Sequence, residues 1–99
     1  MKTTIKVENL RSSKNNFVAN QFEIMQTNKR MSKRIFQSYN TIIAEQKHDK
    51  NGLTTILDTH ALQYSRTTSK YLYLFLNMNR KQIEERIKEN KIQLTNLNK

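Results

Sequence analysis

Cationic and hydroxyl side chains concentrate in two short stretches of this sequence. One of them, YSRTTSKY at residues 64–71, sets Arg66 and Lys70 among four serine and threonine side chains. The other, TNKRMSKR at residues 27–34, is the densest basic patch and holds Lys29, Arg30, Lys33 and Arg34. Lysine and arginine bind phosphate and carboxylate groups, and arginine does so through two parallel hydrogen bonds. These six cations are the candidate contacts to nucleic acid or to an acidic protein partner.

Each stretch also has a purely structural interpretation. Cations at residues 29–34, between two strands, would occupy a hairpin tip, either simply solvated or reaching into a phosphate-lined groove. Ser65 or Thr67 can cap a helix N-terminus, and such a terminus also favours an anion. Tyr64 and Tyr71 would stack on bases, as aromatic side chains do in single-strand binding sites, or pack on the core. The sequence leaves these alternatives open.

Residues suited to catalysis or metal binding do not form a recognisable pattern. His48 and His60 lie far apart in the chain and belong to no ligand motif. The carboxylates Glu45, Asp49 and Asp58 are not paired by any spacing, and the single glycine excludes a glycine-rich phosphate loop. Without cysteine there is no thiol nucleophile and no disulfide. We therefore predict a protein that is not an enzyme, with no catalytic residue, metal or cofactor.

Length and charge set the broad class. The chain has 99 residues and a formal net charge of +10, and this length is typical of one domain. Such a charge attracts anionic partners over roughly a Debye length of ~8 Å at physiological salt. The longest apolar run, YLYLFL at residues 71–76, is far shorter than the ~20 residues of a membrane span, and no signal peptide is evident. We predict a soluble, cytoplasmic protein with no membrane partner.

Period-two alternation, β-branched and aromatic residues and one turn signal predict short strands in the first part of the chain. Asn51-Gly52 is a strong hairpin-turn signal, and residues 40–46 are ambiguous between strand and helix. Strands are predicted at residues 3–7, 17–26, 34–39 and 53–57.

The later part of the chain has helical periodicity. Intervals of 4, 7, 4, 7 and 3 separate Leu72, Leu76, Ile83, Ile87, Leu94 and Leu97. This spacing predicts a long C-terminal helix, with a break near residues 77–79 as an alternative. The side chains of Ile83, Ile87 and Leu94 would lie on a surface helix or pair with a second copy as a homodimer. The predicted fold class is α+β: an antiparallel meander of three to four strands followed by this helix, with a core domain at 1–79 and a helical extension at 80–99.

The segments FVANQF, RIFQSYNTIIA and LQYSRTTSKYLYLFL together resemble a family of short, mostly uncharacterised proteins carried by phages of Gram-positive bacteria. In that family a strand ending in F-x-S-Y precedes N-T/S-x-I-A, and a turn leads to Y-S-x-T-T-S-K-Y/H. The resemblance covers residues 17–76 and rests on Tyr64–Tyr71 together with Phe36, Ser38, Tyr39, Ile43 and Ala44. The basic stretch at residues 29–34 and the segment 80–99 depart from the family's pattern.

The resemblance implies a phage or prophage accessory protein in a host bacterial cell. Such proteins often bind and block a host defence complex, and anti-CRISPR proteins are the best-known kind. The first hypothesis is thus a non-enzymatic inhibitor that binds a CRISPR effector nuclease, or another defence ribonucleoprotein, through its basic surface. The alternative is a small basic protein that binds DNA or RNA directly, as a regulator or a coating protein.

Overall fold

Six strands form one sheet in the computed structural model, which describes residues 3–12 and 14–98. The strands lie side by side in chain order; the first five form an antiparallel meander, and the sixth is parallel to the fifth. A short 3-10 helix, Ala61–Gln63, and two α-helices connect the fifth strand to the sixth. The elements are β1 (Thr4–Arg11), β2 (Phe17–Thr27), β3 (Met31–Ser38), β4 (Thr41–Asp49), β5 (Gly52–Asp58), α1 (Arg66–Leu76), α2 (Arg80–Lys88) and β6 (Ile92–Thr95).

The hydrophobic core lies between one face of the sheet and the two helices. Phe36 on β3 is fully buried, and its ring stacks on that of Phe75 on α1 with the ring centres 5.7 Å apart. Side chains two residues apart on a strand share a face, so Arg34, Phe36 and Ser38 all point toward the helices. The remaining buried apolar side chains of this core are Ile43, Ala44, Leu57, Ala61, Tyr71, Leu72, Leu76, Ile83 and Ile92.

The opposite face of the sheet carries a row of aliphatic side chains outside that core. The strand register places Val7 beside Ile24, and Ile24 beside Ile35. Ile24 and Ile35 are half-buried, whereas Val7 and its neighbour Ile5 are about 60% exposed, at 59% and 60%. None of these side chains belongs to the core cluster formed with the helices. We call this side the helix-free face.

The predicted sheet of three to four strands followed by a long helix is wrong. The sheet is larger because residues 40–46, left ambiguous by the sequence, belong mostly to the strand β4, and because β6 adds a further strand. Phe36 pairs with Ala44 while Gln37 pairs with Ile42, so Ile43 is the extra residue of a β-bulge. The bulge lets the adjacent Ile43 and Ala44 both become buried. Two buried neighbours break the period-two pattern, which is why the sequence was ambiguous here.

Asparagines divide the predicted helix into separate elements. Asn77 adopts the left-handed conformation (φ 55°, ψ 44°) and ends α1, a conformation that asparagine tolerates better than most residues. Asn79 and Gln82 then form a reciprocal capping box that begins α2. The chain leaves α2 through Asn90, whose φ is 60°. The turn at residues 77–79 thus lies where the sequence left a break open, and a second turn follows at residue 90.

Ile83, Ile87 and Leu94, which were predicted to lie on one helix, belong to a helix and a strand. Ile83 is fully buried in the core, and Ile87 packs against that core from the same helix. Leu94 lies in β6, two residues after Ile92, which is the spacing of side chains that share one face of a strand. Residues 80–98 therefore contribute to the same sheet and the same core as the residues before them.

Candidate anion-binding surfaces

Two hairpin turns lie side by side at one end of the sheet. The β2–β3 turn is held by Asn28, whose Oδ1 accepts hydrogen bonds from the N–H groups of Arg30 (2.9 Å) and Met31 (3.1 Å). In the β4–β5 turn, Asp49 Oδ1 accepts the N–H of Asn51 at 2.8 Å. Since Met31 pairs with Asp49 across β3 and β4, the two turns are neighbours. A shared groove between them is lined by Lys29, Arg30, Met31, Lys47, Asp49, Lys50 and Asn51.

This groove has a strongly positive lining. Its cations are Lys29, Arg30, Lys47 and Lys50, which we call the hairpin-tip surface. Asp49 is the acidic residue of this lining, and its carboxylate forms an ion pair with Lys47 at 3.9 Å. Lys29, Arg30 and Lys50 form no ion pair with any residue in the described part of the chain. A solvated groove with this excess of positive charge favours an anionic ligand.

Two of the predicted tip residues have different roles. Lys33 lies on the helix-free face, where the strand register sets it beside Lys47 of β4. Its ammonium group forms an ion pair with Glu45 at 3.5 Å. Arg34 points to the helix side, so the two neighbours face opposite ways. The predicted basic finger of residues 29–34 is therefore divided between the tip and the two faces of the sheet.

Arg34 is engaged by the fold itself. Its guanidinium donates hydrogen bonds to Glu23 Oε1 and to Gln46 Oε1, each at 2.9 Å, and lies 4.3 Å from the centre of the Phe75 ring. A longer contact of 3.4 Å reaches the carbonyl oxygen of Phe75. These contacts tie β2, β3 and β4 to the end of α1. Arg34 is thus a poor candidate for contact with a partner.

The predicted cations Arg66 and Lys70 lie one turn apart on α1 and line a second groove. Arg80, the first residue of α2, brings a third cation to it, although Arg80 also pairs with Glu84 at 3.6 Å. Tyr73 contributes an aromatic side chain. We call this the helix groove, which is lined by Tyr64, Arg66, Ser69, Lys70, Tyr73, Leu74 and Arg80.

The hydroxyl groups at the start of α1 serve mainly the fold. Ser65 Oγ caps α1 by accepting the N–H of Thr68 at 3.3 Å. The buried Thr68 hydroxyl bonds to Ser38 at 3.0 Å and so attaches α1 to β3. Tyr71 is buried, so its ring is not available as the predicted stacking platform. Tyr64 donates its hydroxyl to Asp58 and is half-buried, and its side chain lines the helix groove together with Tyr73.

A polar pocket surrounds the buried carboxylate of Asp58 at the other end of the sheet. Asp58 Oδ2 accepts from Tyr64 (2.9 Å) and from the His60 N–H (3.2 Å), while Oδ1 accepts from the Leu97 N–H (3.0 Å) and from Asn98 (3.1 Å). Burial alone would raise the pKa of Asp58, but these hydrogen bonds together hold that pKa below its ordinary value. Burial and the bond to Asp58 raise the pKa of Tyr64.

The Asp58 pocket is therefore a structural connection. Its carboxylate joins the end of β5 to the segment after β6, where Asn98 also bonds both the N–H and the carbonyl of Ile42. Across residues 3–12 and 14–98, no cluster of three or more histidines and carboxylates could hold a metal ion. No helix in the same residues is long and apolar enough to cross a membrane.

Sequence reasoning missed three cations that complete these grooves. Lys47 and Lys50 shortly precede the Asn51-Gly52 turn, and alternate turns of an antiparallel meander lie at the same end of the sheet. That rule would have placed both lysines beside Lys29 and Arg30 if the ambiguous residues 40–46 had been assigned to a strand. Arg80 was missed because one continuous helix would place it far from Arg66. The chain reverses at Asn77, and this turn places Arg80 in the same groove as Arg66.

The fold and the grooves define a small mixed-sheet α+β protein with two basic surfaces. The chain belongs to a family of unknown function, DUF8033, whose family model matches residues 5–93. That match includes all six strands in whole or in part and both helices. Neither a curated protein nor a solved structure matches the chain.

Proposed function

We propose that the protein is a non-enzymatic inhibitor of a bacterial defence system, of the anti-CRISPR kind, that acts by binding. The observation that supports this proposal is the hairpin-tip surface, where Lys29, Arg30 and Lys50 have no ion-pair partner within the described residues. The setting, a phage protein directed against a host nuclease, comes from the family resemblance.

The hairpin-tip surface suits an inhibitor for a physical reason. Its cations lie on turns at the edge of the molecule, so they can enter a groove that normally holds nucleic acid. Both turns are fixed by their own hydrogen bonds, from Asn28 and from Asp49. A fixed surface loses less conformational entropy on binding than a mobile one. The expected target is the nucleic-acid channel of an effector nuclease, or the guide or target strand within it.

The test is a charge reversal at the tip. The variant K29E/R30E/K50E should lose the ability to protect a targeted plasmid from CRISPR interference, measured as transformation efficiency in cells that carry the system. The matched control, K81E/R86E/K88E, makes the same change in net charge on exposed positions of α2 and should keep protection. Circular dichroism should show that both variants are folded.

Two results would contradict the proposal. If the wild-type protein protects no plasmid against any CRISPR system of Gram-positive hosts, the inhibitor function is wrong. If the tip variant protects as well as wild type, the hairpin-tip surface is not the contact. A pull-down of the CRISPR effector with and without nuclease treatment would then separate a protein contact from one through nucleic acid.

The helix groove favours a second candidate function, direct binding of single-stranded nucleic acid. Arg66, Lys70 and Arg80 line this groove with Tyr73, and cations interleaved with an aromatic ring are typical of single-strand binding sites. Binding would depend steeply on salt because displaced counterions drive it.

Fluorescence anisotropy with a labelled oligonucleotide of roughly 16 nucleotides tests this candidate, a length at the upper end of common single-strand site sizes. The variant R66A/K70A should reduce the slope of log affinity against log salt by about 1.4, at ~0.7 per phosphate contact. The control K81A/K88A should keep the wild-type slope. Undetectable binding at low salt would refute direct nucleic-acid binding and leave the inhibitor proposal in place with a protein target.

A further inference from the structure

The first strand, β1, has one edge that no strand pairs with among the described residues. It is the outermost strand of the sheet, next to β2 alone. The other outermost strand, β6, is four residues long, whereas β1 spans eight. A long free edge presents a row of backbone N–H and C=O groups that can pair with another chain. Most natural sheets blunt such an edge, often with lysine or with a very short strand.

The charges of β1 are arranged so that two antiparallel copies of the strand would attract each other. Lys6 and Glu8 lie on the same side of the strand and form an ion pair at 2.9 Å. If two copies of β1 pair antiparallel around a two-fold axis at Val7, Lys6 of one copy lies opposite Glu8 of the second, and Glu8 opposite Lys6. Opposite charges in directly facing positions stabilise an antiparallel pair, and like charges destabilise it. The register centred on Val7 is the one that gives both favourable pairs.

The same register matches the apolar side of the strand. Val7 would face Val7 of the second copy on the helix-free face, and Ile5 would face Asn9. Ile5 and Val7 are now 60% and 59% exposed, more than aliphatic side chains of a strand usually are in an isolated protein. The backbone from Thr4 to Asn9 keeps a regular register with β2, and its irregularity begins only after Asn9. The regular part of β1 is thus the part that would pair.

We propose that β1 pairs antiparallel with β1 of a second copy of this chain, centred on Val7, and forms a homodimer with one continuous sheet. A two-fold axis perpendicular to the sheet keeps both helical layers on one side. The two aliphatic rows then meet on the other side, and the two hairpin-tip surfaces point in opposite directions. This interface differs from the helical one that the sequence predicted, and it does not depend on the proposed inhibitory function.

Charge exchange in β1 tests the dimer with the full chain. Sedimentation velocity over a range of concentrations should show wild type changing from monomer to dimer; a one-strand interface is at the weak end of specific contacts, so high concentration is needed. K6E and E8K should each dimerise roughly tenfold or more weakly, because each faces like charges at two positions. An equimolar mixture of K6E and E8K should recover the wild-type affinity, since glutamates of one chain then face lysines of the other. The double exchange K6E/E8K should recover it as well.

Controls on α2 separate this effect from net charge. K81E and E85K change exposed residues by the same charge and should dimerise as wild type does. Wild type that stays monomeric up to roughly millimolar concentration, far above the dissociation constant of specific interfaces, would overturn the proposal. A wild-type dimer that K6E and E8K leave intact, or whose affinity the mixture fails to restore, would place the interface elsewhere and overturn it too.

Discussion

At the scale of single residues, neighbouring cations in one strand have different structural roles. Arg34 bridges Glu23, Gln46 and the end of α1, whereas the adjacent Lys33 makes one contact, with Glu45. A charge-dense stretch is therefore not one surface when it runs through a strand, since alternate side chains leave on opposite faces.

Replacing Arg34 should destabilise the fold. R34M removes charged hydrogen bonds and leaves Glu23, whose side chain is 18% exposed, without its partner. We expect the free energy of unfolding to fall by about 2 kcal/mol, measured by urea denaturation. The matched variant K33M should change it by less than about 1 kcal/mol, because a single contact of 3.5 Å is lost. Equal losses in the two variants would mean that the Arg34 network adds no stability.

Much of the candidate site was within reach of the sequence. The dense charge at residues 29–34 identified Lys29 and Arg30 of the hairpin-tip surface, and the hydroxyl-rich stretch identified Arg66 and Lys70 of the helix groove. Lys47 and Lys50 escaped because their closeness to the tip is a property of the meander and not of sequence distance. Arg34 lies on the same face of β3 as the buried Phe36, because the two residues are two positions apart in a strand. The sequence shows this once residues 31–38 are assigned to β3.

At the scale of elements, the strands with regular alternation were predictable, and the elements set by single asparagines were not. Residues 17–26 alternate and form most of β2, and residues 53–57, which follow the Asn51-Gly52 turn signal, form most of β5. The stripe of leucine and isoleucine after residue 71 fits a helix and also contains the strand pattern of Ile92 and Leu94. Periodicity cannot show that Asn77 and Asn90 adopt positive φ, so it joined two helices and a strand into one element.

Because the residues of that stripe belong to different elements, replacing them should have unequal effects on stability. I83A should lower the free energy of unfolding by about 2–4 kcal/mol, because Ile83 is fully buried and its replacement leaves a cavity. L94A should lower it by less than about 1 kcal/mol, because Leu94 is 47% exposed in β6. Thermal and urea denaturation provide the measurement. Similar effects of the two changes would support the single amphipathic helix that the structure replaces.

At the scale of the whole molecule, the Asp58 carboxylate connects elements that are distant in sequence. It joins the end of β5 to Leu97 and Asn98, and Asn98 reaches β4 at Ile42. The folded state holds the pKa of Asp58 below its ordinary value, so the unfolded chain binds the proton more tightly. This carboxylate therefore contributes stability above the unfolded pKa of ~3.9, and the contribution is lost as pH falls through the folded pKa.

The D58N variant should remove that acid dependence. An amide at this position presents N–H groups to donors, so we expect D58N to lower the free energy of unfolding at pH 7 by about 2 kcal/mol. Between about pH 5 and about pH 2, its stability should fall less steeply than that of wild type. The control E84Q changes an exposed carboxylate on α2 and should follow the wild-type curve. Parallel curves for D58N and wild type would contradict a role for Asp58 in acid unfolding.

The parallel pairing of β6 with β5 has a consequence for the order in which the chain folds. Each hairpin of the meander joins segments that are adjacent in sequence, so closing it costs little loop entropy. The last strand is separated from β5 by both helices of the crossover, and contacts between segments so distant in sequence are slow to arise. We expect the meander to organise early and β6 to dock late, which would expose the edge of β5 in a transient species.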